Sequence, residues 1–344
     1  MPSPAVHISP AAPANEELPR RPGKKPLRWL SWLLGLALVA AVIIAARHFS
    51  EAREFALLAE RAQPWWLALA VVFQLCTYLA QAEVFRVVAR AGHFALGLGI
   101  AARLSLSKLF VDQAIPSAGW SGTAVLASGL ERRGMSRPVI AAGVVVDLSS
   151  YYVAYVLCLV AALAIAAGRG ESNPLLLFGS LAFLLFAVAL STFLILMSGR
   201  SARELPRWLA RLGPVRSALA FIRDADPHLS RSPRLLLWAS LWQLAIVFCD
   251  TATVWVLIRA LGSEGSPSGV FAGFMISSLL RTVGFMPGGL GTFEAASVVT
   301  LKMVGVPIPV ALSATLLFRG LSFWLPLLPG LWLTRRAVSP GGRT

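Results

Sequence analysis

At 344 residues, 57% of them apolar and 14% charged, with a mean hydropathy of +0.71, the composition excludes an ordinary water-soluble domain and reads as an integral membrane protein. The formal charge of +15 does not argue for a nucleic-acid partner, because the basic residues crowd loops between apolar runs, where the positive-inside rule puts them. The three cysteines and four histidines show neither metal-ligand nor triad spacing, so no metal, cofactor or catalytic group is expected, and the cysteines read as small buried residues.

Residues 1–28 are polar, rich in proline and alanine and finally basic (Arg20, Arg21, Lys24, Lys25, Arg28). They read as a disordered, cytoplasmic tail. A single membrane domain is expected over 29–335, followed by a short tail, 336–344. Apolar runs long enough to cross a bilayer as helices lie at 29–46, 64–85, 138–167, 174–197, 235–258 and 307–333. The first ends at Arg47 without a small-residue cleavage site, so it reads as a retained span rather than a signal peptide. Between the fourth and fifth runs, a linker at 199–234 carries eight arginines. Leu205, Trp208, Leu209 and Leu212 fall on one helical face there and predict a helix lying in the interface.

A weak internal repeat links the two halves. Gln74-Leu75, Val87 and Arg90-Ala91 recur 169 residues later as Gln243-Leu244, Val256 and Arg259-Ala260, and Leu109, Pro116, Gly134 and Pro138 recur 171 residues later as Leu280, Pro287, Gly305 and Pro309. Repeat 1 spans about 64–168 and repeat 2 about 235–333. Each contains an apolar segment interrupted by charge and by a Pro/Gly cluster. In the first, Arg103, Lys108 and Asp112 precede Pro116, Gly119 and Gly122; in the second, Arg281 precedes Pro287, Gly288, Gly289 and Gly291, and Thr292, Glu294 and Lys302 follow. Broken backbone and charge at membrane depth are tolerated only against protein or a wet cavity. With every basic loop cytoplasmic, the first repeat begins on an inward-directed span and the second on an outward-directed one. The reading is therefore all-α and polytopic: about six full spans and two interrupted hairpins, in inverted repeats of the kind transporters use, with both termini cytoplasmic.

In the second hairpin, Pro287-Gly288-Gly289 with Gly291 ends one half-helix and starts another. Thr292 then sits at a helix N-terminus, whose N–H groups and dipole suit an anion such as a lipid phosphate. Glu294 is expected to satisfy that dipole, or to pair with Arg281 or Arg319; an alternative is close helix packing with a purely structural ion pair. Asp147, in VVVDLSSYY, is expected to pair with Arg103 or Lys108. Gln243 and Asp250 either line a cavity or make interhelical hydrogen bonds.

PGGLGTFEA, preceded by SSLLRTVGFM and followed by LLFRGLSFWLPLLPG, resembles the membrane region of the lysylphosphatidylglycerol synthase family, also called flippase-like domain proteins. The resemblance covers roughly 30–335 and is most specific at Pro287 to Glu294 plus Arg319. It implies a membrane domain that moves aminoacylated or other lipids between leaflets; because members linked to hopanoids are similar, a polycyclic or glycosylated lipid also fits. The family's separate soluble aminoacyl-transferase domain is not expected here, since the chain ends just past Arg336. The first half departs from the family's pattern: Pro116-Ser117-Ala118-Gly119-Trp120 lacks its arginine, and Asp147 stands where a Glu-Arg pair belongs. The expectation is a non-enzymatic, flippase-like protein of the inner membrane. It handles membrane lipids through Arg281, Pro287, Gly288, Gly289, Gly291, Thr292, Glu294, Arg319, Pro116, Gly119, Gly122 and Asp147. A non-transporting scaffold that recruits lipid-modifying enzymes is the alternative.

Overall fold

A computed structural model of the chain describes residues 62–114, 120–168, 170, 174–198, 213–283 and 291–326. The tail, the span expected at 29–46, the interfacial helix around Trp208 and the end of the last span lie outside the described residues, as do Pro116, Gly119, Pro287, Gly288 and Gly289.

Among the described residues every regular element is a helix. The first half contains α1 (Pro64–Ala91), α2 (Leu98–Ala114), α3 (Trp120–Glu131) and α4 (Arg137–Gly168). Next come α5 (Pro174–Met197), α6 (Gly213–Arg223) and the single turn α7 (Pro227–Ser230). The second half runs through α8 (Pro233–Ala260), α9 (Pro267–Val283), α10 (Thr292–Met303) and α11 (Ile308–Arg319), which continues as a π-helical segment, Gly320–Trp324.

Lengths recur between the halves: 28 residues in α1 and α8, 17 in α2 and α9, 12 in α3 and α10. So do the ends. Both long helices start on a proline, whose missing N–H costs nothing in a first turn. The Ser232 hydroxyl also accepts the Leu235 N–H at 3.4 Å. Past their last turns, Phe94 N–H reaches back to the Ala89 carbonyl (2.8 Å) and Ser263 N–H to that of Ile258 (3.2 Å). His93 and Gly262 take the left-handed conformation that this closure needs. Met135 and Val306 close α3 and α10 in the same way, on Leu130 and Leu301, beside left-handed Gly134 and Gly305.

At 1.5 Å per residue, α1 and α8 reach about 42 Å, ample for a hydrocarbon core of about 30 Å; α2 and α9 reach about 25 Å, and α3 and α10 about 18 Å. Pro64–Ala91, Arg137–Gly168, Phe178–Met197 and Pro233–Ala260 are long and apolar enough to span. Their outward faces expose Val72, Phe178, Leu185, Leu237 and Trp238, a surface suited to lipid rather than water. Cys76 is on such a face and only Cys158 of the three cysteines is buried, so the expectation of buried cysteines holds for that one.

α1 and α8 pack along each other. They run antiparallel, since the Gln63 N–H at the start of one donates to the Ala260 carbonyl at the end of the other (3.1 Å). In each half the two short helices pack as a hairpin, α2 on α3 and α9 on α10. Phe274, Phe293 and Phe318 tie α9, α10 and α11 together, with ring centroids 5.6–6.1 Å apart. In the arginine-rich linker the described amphipathic helix is α6, which buries Leu219 and Ile222 and exposes Arg216.

Candidate functional site

The second hairpin turns into α10 at Gly291, whose φ of 84° is open to glycine and strained for other residues. Glu294, in the first turn of α10, reaches back and accepts the Gly291 N–H at 2.7 Å through Oε2. This is the acidic half of a capping box, and the helix dipole favours it. The same carboxylate takes the Nε–H of Arg319 at 2.6 Å through Oε1. Arg319 is 4% exposed, so its charge is compensated where water cannot do so. Of the two arginines open to Glu294 in the sequence, the structure selects Arg319.

Arg281 is left without such a partner. It stands in the last turn of α9, where the dipole favours a cation, and no described carboxylate lies within ion-pairing distance of it. Its guanidinium interacts with the Tyr151 side chain and sits 5.8 Å from the centre of the Phe293 ring. Arg319 lies 5.5 Å from that ring and 4.7 Å from that of Phe323. The buried Phe293 therefore serves two cations.

The first hairpin carries a parallel set. Asp112 on α2 accepts the Gly122 N–H in the first turn of α3 at 2.9 Å and pairs with Lys108 at 3.2 Å. In both hairpins, a carboxylate thus joins the start of the second helix to a cation. Gly122 permits the approach: a Cβ there would come 2.3 Å from Asp112 Oδ1 and 2.4 Å from the Lys108 carbonyl oxygen.

The expected pairing of Asp147 with Arg103 or Lys108 is corrected. Lys108 gives its hydrogen-bonded contact to Asp112, four residues on along the same helix face, and acts on Asp147 only through its field. Asp147 is 8% exposed and is held by two amides, Gln81 Nε2 at 3.3 Å and Gln243 Nε2 at 3.0 Å. One helical heptad along the α1–α8 seam, Asp250 accepts from Thr77 Oγ1 at 3.0 Å and Gln74 Nε2 at 3.5 Å. Of the two readings of Gln243 and Asp250, interhelical hydrogen bonding is the one seen.

α1 also holds the π segment. Tyr78 donates its hydroxyl to the Leu321 carbonyl at 2.5 Å, and Gln113 of α2 donates to that of Ser322 at 3.4 Å.

Arg281, Gly291, Thr292, Glu294 and Arg319 thus lie around one hairpin mouth, whereas Gly122 belongs to the other hairpin and Asp147 to the seam between the halves. Sequence reasoning noted Gln74 only as a repeat position and passed over Thr77, Tyr78 and Gln81, which follow it on one face of α1. Their signal was a polar stripe at helical spacing inside an apolar run. Among the described residues no group of three potential ligands could hold a metal ion.

A family model described as "Lysylphosphatidylglycerol synthase TM region" matches residues 32–330. The chain is also 25% identical over 111 residues to a "UPF0104 membrane protein" of Methanothermobacter thermautotrophicus, a match covering 32% of this chain and 33% of that protein.

Proposed function

The chain belongs to the lysylphosphatidylglycerol synthase transmembrane-region family, and from that membership and the charges around Phe293 we propose that it binds a lipid with an anionic headgroup and passes it between leaflets. The observation that carries the reading is Arg281, a guanidinium at a helix C-terminus among apolar spans, with an aromatic face and a hydroxyl for neighbours and no described carboxylate in contact. A charge at that depth is costly to keep unless it has work to do, and guanidinium matches phosphate geometry with two parallel hydrogen bonds.

Glu294 deepens the reading. It holds the two groups that a second phosphate oxygen would seek, the Gly291 N–H and Arg319. A headgroup on Arg281 therefore competes with an internal anion, which releases it as readily as it admits it. Transport needs that balance, because a site that binds without a competitor retains its cargo.

The recurring helix lengths and the antiparallel α1–α8 pair support a second part of the proposal: the halves are inverted repeats, and the two short hairpins enter from opposite faces. The linker and the C-terminus then face the cytoplasm, in a cell inner membrane. In this reading the protein is a carrier, with no chemical step of its own. An aminoacylated, polycyclic or glycosylated lipid fits if it carries an anionic group.

The test is leaflet-resolved movement of headgroup-labelled lipids in proteoliposomes with wild type and Arg281→Gln. Movement of an anionic lipid that Arg281→Gln abolishes supports the carrier. No movement by wild type, with lipid-modifying enzymes retained on the protein, supports the scaffold instead.

A further inference from the structure

We propose that Asp250 is a proton-binding site that couples the headgroup site to pH, taking up a proton as the anionic lipid binds and releasing it as the lipid leaves. The coupling rests on the headgroup reading of Arg281; the proton site rests on the α1–α8 seam alone.

Asp250 stands at the eighteenth position of a helix of 28 residues, near the middle of an apolar span. Its hydrogen-bond partners are neutral: the Thr77 hydroxyl and the Gln74 amide, on residues 8% and 2% exposed. No described cation is within ion-pairing distance of it. A carboxylate held at this depth by neutral donors has no counter-charge in contact with it, and a proton is the smallest group that can supply one.

Gln74 supplies the second observation. Its amide nitrogen makes a long contact with Asp250, 3.5 Å, while its buried Oε1 has no hydrogen-bond partner. An orphaned buried acceptor costs free energy. A half-turn of the amide satisfies it when Asp250 is protonated, because the acid O–H then donates to Oε1. One side chain thus fits both states: N–H toward the carboxylate, C=O toward the carboxylic acid.

The charged and titratable groups facing Asp250 are Arg281 from α9 and Tyr78 from α1, with Cys249 beside it on α8. Arg281 makes the coupling. While Asp250 is ionised, its negative charge acts on Arg281 through space, without contact, and opposes the approach of a second anion. Protonation cancels that negative charge, and Arg281 is then available to the lipid. Binding of the anion and uptake of the proton favour each other, and together they leave the site's net charge unchanged.

The experiment uses the full-length protein in two arms. In detergent micelles, an infrared titration follows the carbonyl stretch of protonated carboxyl groups. A band that titrates in wild type should vanish in Asp250→Asn and persist in Asp147→Asn, and Gln74→Leu, which keeps the carboxyl, should move its midpoint. A band that Asp250→Asn leaves unchanged, or that Asp147→Asn removes, overturns the proton site.

In nanodiscs containing fluorescent phosphatidylglycerol in phosphatidylcholine, binding by wild type should tighten as pH falls, by up to about tenfold per pH unit for one linked proton. Asp250→Asn should bind tightly and independently of pH. Tightening by sodium at fixed pH, or an unchanged pH dependence in Asp250→Asn, overturns the coupling. Absence of phosphatidylglycerol binding at every pH rejects the headgroup reading and, with it, the coupling, and the infrared arm still decides the proton site.

Discussion

Glu294 joins Arg319 to the backbone at the start of its own helix, with one oxygen 2.6 Å from the guanidinium Nε and the other 2.7 Å from the Gly291 nitrogen. Replacement by glutamine leaves a charge stranded on Arg319. The cost should fall near the lower end of about 3–5 kcal/mol, because the Glu294 side chain keeps 17% exposure. Removing both charges, Glu294→Gln with Arg319→Gln, should recover much of that loss in detergent thermal melts. Recovery of stability without recovery of lipid movement is the expected pattern; native movement in the double variant would leave the pair a structural role only.

Gly122 allows α3 to approach α2. Gly122→Ala must push against a carboxylate and a backbone carbonyl, and should cost about 1–3 kcal/mol. Gly129→Ala, on the same helix, meets only the Leu104 side-chain terminus at 2.4 Å, which can turn aside. Its effect on the melting temperature should be the smaller of the two.

The helices were legible where one physical signal dominated. Apolar length marked α1, α4, α5 and α8, and Gly291 before Thr292 and Glu294 marked the start of α10. The partners inside the bundle were not legible, because charge alone does not say which of several cations a carboxylate meets. Asp147 illustrates this. Lys108 has the right sign, yet Asp112 four residues away holds it, and two glutamines from different helices take its place. Nor does hydropathy announce the π segment after Arg319, since it arises from how the helix is held rather than from composition.

The orientation proposal concerns the arginine-rich linker. Single cysteines at Ser217 and Ser339, in a background lacking Cys76, Cys158 and Cys249, should react with a membrane-impermeant maleimide only after the cells are opened. Reaction at either position in intact cells would reverse the proposed topology or remove the inversion.

Tyr78 offers a test of whether the π segment tunes the site. A π turn displaces helical hydrogen bonds and leaves carbonyls to be satisfied from outside. The Tyr78 hydroxyl serves the Leu321 carbonyl, two residues past Arg319. Tyr78→Phe keeps the ring and removes that hydrogen bond, which should cost about 0.5–1.5 kcal/mol of stability. If the segment acts by aiming Arg319, Tyr78→Phe should also weaken phosphatidylglycerol binding. The double variant with Arg319→Gln should then bind no more weakly than Arg319→Gln alone, because residues acting through one group are not additive. Additive losses would show that Tyr78 acts apart from Arg319, for instance through Asp250, which it also faces. The sub-additive result is expected, since Phe323 in the same segment packs against the Arg319 guanidinium at 4.7 Å and moves with the backbone that Tyr78 holds.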